Sequence, residues 1–76
     1  MEDKIKKKII YIVSNCINIS ENKLEVTSNS DEIDKWDSLA QVNIIIKLQK
    51  EFKKKVPPSD INDLNSISSL IEYFSN

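Results

Sequence analysis

Not one of the 76 residues is glycine. Tight two-residue β-hairpins rely on Asn-Gly, Asp-Gly or a Gly-first turn, so this chain is poorly equipped for a small meander of strands. The same absence excludes a phosphate-cradling P-loop and a dinucleotide-binding fingerprint, which need Gly where the backbone meets phosphate. The chain also has no His and a single Cys. That removes Ser-His and Cys-His nucleophile pairs, imidazole ligands, an internal disulfide and a four-Cys metal site. A domain of this size buries only roughly 60% of its unfolded surface, which leaves little room for a closed pocket. These limits favour a binding or carrier module over a free-standing enzyme.

Helical periodicity fills the space that strands leave. Ile5, Ile9, Ile12, Val13 and Cys16 share one face of a first helix expected over Asp3–Ile17. Asn18 is a suitable stop, since Asn tolerates the left-handed conformation. Positions 18 to 37 form a long connection rich in Ser, Asn and acids. A bare loop of about twenty residues is uncommon in a compact domain. Leu24, Val26, Ile33 and Trp36 are therefore expected to pin it across a bundle. A second helix is expected from Ser38 to Lys54, with Leu39, Val42, Ile45, Ile46, Leu48 and Phe52 as its apolar surface and core packing as the default role of Val42 and Ile46. Asp37 or Ser38 starts it, and Ser38 with Gln41 fits a reciprocal capping box. Lys53, Lys54 and Lys55 suit the negative end of the helix dipole as a solvated terminus, and Pro57 and Pro58 stop any continuation. Ser59 is a candidate cap for a single turn containing Ile61 and Leu64. Ser66 or Asn65 is a candidate cap for a last helix facing inward through Ile67, Leu70, Ile71 and Phe74. The expected fold is all-α: a bundle of three main helices plus one short helix, with the long loop between the first two, in one domain spanning 1–76.

The formal net charge of -1, with 30% charged and 39% hydrophobic residues, describes an ordinary soluble chain and gives no reason to expect nucleic acid. No apolar run approaches the ~20 residues of a membrane span. The start lacks a clean signal-peptide core, so a cytoplasmic monomer is the expectation. Cys16 falls on the inner face of the first helix and fits a small buried hydrophobe.

The most informative stretch is Asp34-Lys35-Trp36-Asp37-Ser38-Leu39-Ala40. It sets a hydroxyl at the head of a helix, where free N–H groups and the positive end of the dipole favour phosphate. Asp31, Glu32, Asp34 and Asp37 crowd the approach without the Gly and terminal Glu of a calcium loop. For an isolated Ser here a plain helix cap is the default; Asp37 can cap as well; and Trp36 fits a packed anchor.

Asp37-Ser38-Leu39 ahead of an amphipathic helix resembles the attachment motif of acyl carrier proteins. The resemblance continues without a gap through Val42, Leu48, Glu51-Phe52, Val56-Pro57, Ile67, Ile71 and Tyr73, and the Lys-rich, Ile-lined first helix agrees with it. It implies that Ser38 carries 4'-phosphopantetheine, donated from coenzyme A by a phosphopantetheinyl transferase. It also implies an acyl group held on the arm as a thioester, with no catalytic residue and no metal in the chain. A loading enzyme and an acyltransferase or synthase would be the further partners. Asp34, Trp36, Asp37, Leu39, Val42 and Ile46 are the expected recognition residues around Ser38. Two departures stand out. Lys35 occupies a position where the family commonly has Gly, followed by Trp36. The second helix is also poor in acids, with five Lys and one Glu between residues 39 and 55. Both suggest a specialised pathway over ordinary fatty-acid synthesis. The alternatives are an aminoacyl or peptidyl carrier, or an unmodified helical interaction module.

Overall fold

The computed structural model describes residues 2–75, with side chains from residue 4 to residue 75. Helix α1 spans Glu2–Ile17, α2 Ser38–Phe52, α3 Pro58–Ile61 and α4 Ile67–Ser75, with one turn of 3-10 helix at Glu21–Lys23. Helix α1 packs against both α2 and α4. The all-α expectation holds, and no strand is present among the described residues.

The core draws on α1, α2, α4 and the connections. Ile9, Val13 and Ile17 come from α1, Ile44, Ile45 and Leu48 from α2, and Ile67, Leu70 and Phe74 from α4; Leu24, Trp36, Val56 and Leu64 come from the connections. Burying each large aliphatic side chain contributes about 1.5–3 kcal/mol. On α1 the spacing of four turns out to centre on Ile9, Val13 and Ile17, while Ile5, Ile12 and Cys16 flank it half-buried. Asn18 ends α1 with φ 56°, as its tolerance of the left-handed region suggests.

The long connection is a packed loop. Leu24 and Trp36 are buried and Ile33 half-buried. Val26, expected to be the fourth pin, is instead exposed, and its backbone does the work: its carbonyl accepts from Ser68 N (3.0 Å), and that of Ser28 accepts from Ile67 N (3.0 Å). These N–H groups open the first turn of α4 and would otherwise have no intrahelical acceptor. Ser66 completes that terminus, with Ser69 N donating to Ser66 Oγ and Ser66 N donating to Ser69 Oγ, both at 3.1 Å.

Helix α2 corrects several expectations. Of the two candidate caps, Asp37 is the N-cap: Ala40 N donates to Asp37 Oδ1 at 2.8 Å. The Ser38–Gln41 capping box does not form, because Gln41 points into the interior. The helix stops at Phe52, not Lys54, because Lys53 turns left-handed at φ 52° and sends its N–H back to Gln49 O. Ile44 was absent from the expected apolar surface and is fully buried. Val42 and Ile46, expected by default to pack, lie with Leu39 on the outer face and are exposed. Ser59 does not cap α3; Pro57 holds that position and Pro58 begins the helix, where its missing N–H costs nothing.

Candidate functional site

Three chain segments meet at the head of α2. A shallow pocket of about 250 Å³ there is lined by Ser30, Trp36, Asp37, Ser38, Gln41, Asn62 and Asn65. Its wall is set by one buried polar group. Gln41 Nε2 donates to the carbonyls of Ile61 (2.6 Å) and Leu64 (2.7 Å), and Gln41 Oε1 accepts from Trp36 Nε1–H (2.6 Å). A buried indole needs such an acceptor. Through Gln41 the loop before Ser38, the first turn of α2 and the end of α3 are tied together. Trp36 is only 2% exposed, which fits a packed anchor that builds the wall instead of meeting a partner directly. Gln41 was missed as a clamp, although it lies in phase with Ile44, Ile45 and Leu48 on the inward stripe; its place three residues after Ser38 had suggested a cap.

Ser38 is the first residue of α2 and is exposed. Among the described residues its hydroxyl has no hydrogen-bond partner, and neither do the N–H groups of Ser38 and Leu39. Asp37 supplies the capping oxygen, so Ser38 Oγ is not needed to hold the helix. A free hydroxyl beside free N–H groups at the positive end of a 15-residue helix is suited to carry a phosphodiester.

The other expected site residues fall into two places. Leu39, Val42 and Ile46 run down the outer face of α2 from Ser38, with Leu39 72% exposed. Asp34 is exposed in the loop and does not line the pocket. Asp31, Glu32 and Asp37 are exposed beside it, so the head of α2 is acidic. No group of three His, Cys, Asp or Glu suited to a metal ion occurs among the described residues. Cys16 is half-buried, and burial pushes its thiol above the ordinary value against the opposing charge of Lys47, which does not favour a nucleophile. No described helix is long and apolar enough to cross a membrane.

Residues 8–74 match the family described as phosphopantetheine attachment site. The chain is 30% identical over 76 residues to an acyl carrier protein of Buchnera aphidicola subsp. Schizaphis graminum, covering 97% of this chain and 94% of that protein. It is 27% identical over 72 residues to acyl carrier proteins of Chlorobium phaeobacteroides and Chlorobium phaeovibrioides, with 95% of this chain and 92% of each relative covered. A helical carrier domain that bears 4'-phosphopantetheine is the class these matches define. The chain belongs to the acyl carrier protein family, whose members carry acyl groups for other enzymes and are not themselves enzymes.

Proposed function

We propose that Ser38 Oγ is the attachment point of the phosphopantetheine arm, and that residues 1–76 act as one monomeric carrier domain in the cytoplasm for a specialised acyl pathway. The observation that carries this reading is the division of labour at the head of α2. Asp37 caps the helix, which leaves the adjacent Ser38 hydroxyl exposed and without a partner among the described residues. Ser38 supplies the oxygen that forms the new P–O bond to the arm's phosphorus. Adenosine 3',5'-bisphosphate leaves as the pyrophosphate bond of coenzyme A breaks, and the hydroxyl proton passes to the transferase. The N–H groups of Ser38 and Leu39 lie where they can receive the phosphodiester charge. Once attached, the arm supplies a terminal thiol that holds the acyl group as a thioester.

The chain's own residues then orient and present. Gln41 and Trp36 hold the segment before Ser38 in place. Leu39, Val42 and Ile46, with Asp34 and Asp37 at the head, form the surface offered to the transferase, the loading enzyme and the acyltransferase or synthase. The specialised pathway is supported by charge. The one acid in α2 is Glu51, and it is engaged by Lys8 of α1 at 3.1 Å. A partner that relies on a basic docking patch finds little on this helix to hold.

The test is intact mass spectrometry after incubation with coenzyme A, magnesium and a broad-specificity phosphopantetheinyl transferase. Wild type gains one phosphopantetheine and Ser38→Ala gains none, with the helical circular dichroism of the two matching. A folded wild-type chain that gains nothing overturns the reading in favour of an unmodified interaction module.

A further inference from the structure

Charge along α2 is segregated. The head carries Asp31, Glu32, Asp34 and Asp37, all exposed. Beyond Ile46 the outer face continues into Lys50 and Lys53, with Lys47 exposed on the flank nearer Cys16 of α1, and the chain leaves the helix through Lys53, Lys54 and Lys55. At 1.5 Å per residue, Lys50 lies about 18 Å along the axis from Ser38. Among the described residues, Lys47, Lys50, Lys53 and Lys55 have no ion-pair partner, and the single salt bridge, Lys8–Glu51, turns the only acid of α2 toward α1. The left-handed Lys53 folds the chain back over the helix end. This leaves an open shelf of about 390 Å³ lined by Ile46, Gln49, Lys50, Lys53, Lys54 and Lys55. The Lys54 ammonium is fixed there, donating to Tyr73 O at 2.7 Å and lying 4.5 Å over the Tyr73 ring. Ile46 belongs both to this shelf and to the apolar stripe that begins at Leu39.

We propose that the C-terminal half of α2, centred on Lys47, Lys50 and Lys53, is a docking surface for an acidic patch on the enzyme that loads or unloads the carrier. The proposal rests on Ser38 bearing the arm, because that requires a partner to approach this same face. An enzyme fits better than a polyanion. A nucleic acid or an anionic lipid surface reaching the lysines would also bring negative charge toward the four acids at the head. A protein surface can instead present acidic groups to the lysines, apolar groups to Leu39, Val42 and Ile46, and basic groups to the head. Such complementarity sets partner choice and on-rate more than affinity.

The experiment first converts wild type and Lys47→Glu/Lys50→Glu/Lys53→Glu to the holo form; failure of wild type at this step is failure of the attachment reading and is scored separately. Each holo carrier is then loaded by an acyltransferase with a basic docking face, and by the same enzyme with those Arg and Lys reversed to Glu. Wild type is expected to be loaded about tenfold faster, by kcat/KM, by the acidic-faced enzyme, with the triple variant reversing the preference and added salt narrowing it. A control variant, Lys4→Glu/Lys6→Glu/Lys7→Glu on α1, carries the same net charge and is expected to behave as wild type. Equal preference in wild type and the α2 variant, or an equal shift in the α1 control, overturns the proposal. So does a salt-sensitive dimer in sedimentation, or binding to phosphatidylglycerol vesicles, that the α2 variant abolishes; either result would assign the lysines another occupant.

Discussion

Ile45 and Ile46 are neighbours of identical chemistry, yet one is 2% exposed and the other 43%. They belong to two faces of α2 that have little in common beyond the helix they share. The inward face carries Ala40, Gln41, Ile44, Ile45 and Leu48, every one buried. The outward face carries Leu39, Val42 and Ile46, apolar and in water. Apolar character therefore serves two ends on one helix. Inward it supplies the burial that holds the bundle; outward it contributes little to stability and is available to whatever approaches Ser38. An exposed apolar stripe with a polar border marks an interaction surface. Polar character divides in the same way: Gln41 is buried to organise the interior, while Asn43, Lys47 and Lys50 stay exposed.

The largest expected difference lies between the faces themselves. Ile44→Ala should cost about 3 kcal/mol of unfolding free energy, as large-to-small changes in a packed interior do, whereas Ile46→Ala should stay within about 0.5 kcal/mol. Urea denaturation checks both. Similar losses at the two positions would break the distinction.

Gln41→Leu comes next, at about 2 kcal/mol, because it strips partners from the buried Trp36 N–H and from the Ile61 and Leu64 carbonyls while keeping volume. A shift in Trp36 fluorescence should accompany the loss, since the indole loses its acceptor. A stable variant with unchanged fluorescence would mean that the inward face tolerates a purely apolar stripe.

The smallest effect falls at the head of α2, where the two faces meet. Asp37→Ala should cost about 1 kcal/mol, the usual value of an N-cap, while Ser38→Ala should leave the melting temperature nearly unchanged. Equal losses would return a structural role to Ser38 and blur the separation of cap from attachment point.

Much of this was legible before the fold was known. The missing Gly, the stop at Asn18 and the period of α1 gave an all-helical bundle, and Asp37-Ser38-Leu39 pointed to the head of the second helix. The errors on the apolar surface of α2 share one origin. Leu39, Val42, Ile44, Ile45, Ile46, Leu48 and Phe52 together spread apolar groups over more than half of the circumference of α2, so periodicity could not say which side faces in. The loop misled for a different reason: Val26 holds α4 through its carbonyl, and a backbone acceptor leaves no trace in side-chain character. Gln41 has three partners, one five residues before it and the others 20 and 23 residues after it, a separation that local patterns do not span.

The sequence by itself determined the class of structure and put a serine at the head of the second helix, because helix periodicity, capping chemistry and the lack of Gly act over a few residues. Only the tertiary structure decided which side of α2 is buried, which of Asp37 and Ser38 caps it, and that Glu51 pairs with Lys8 of α1 while Lys47, Lys50, Lys53 and Lys55 stay exposed without an ion-pair partner among the described residues. Those outcomes depend on where α1, α3 and α4 lie around α2. That placement minimises exposed apolar area and unpaired polar groups over the whole chain at once, so no single segment contains it.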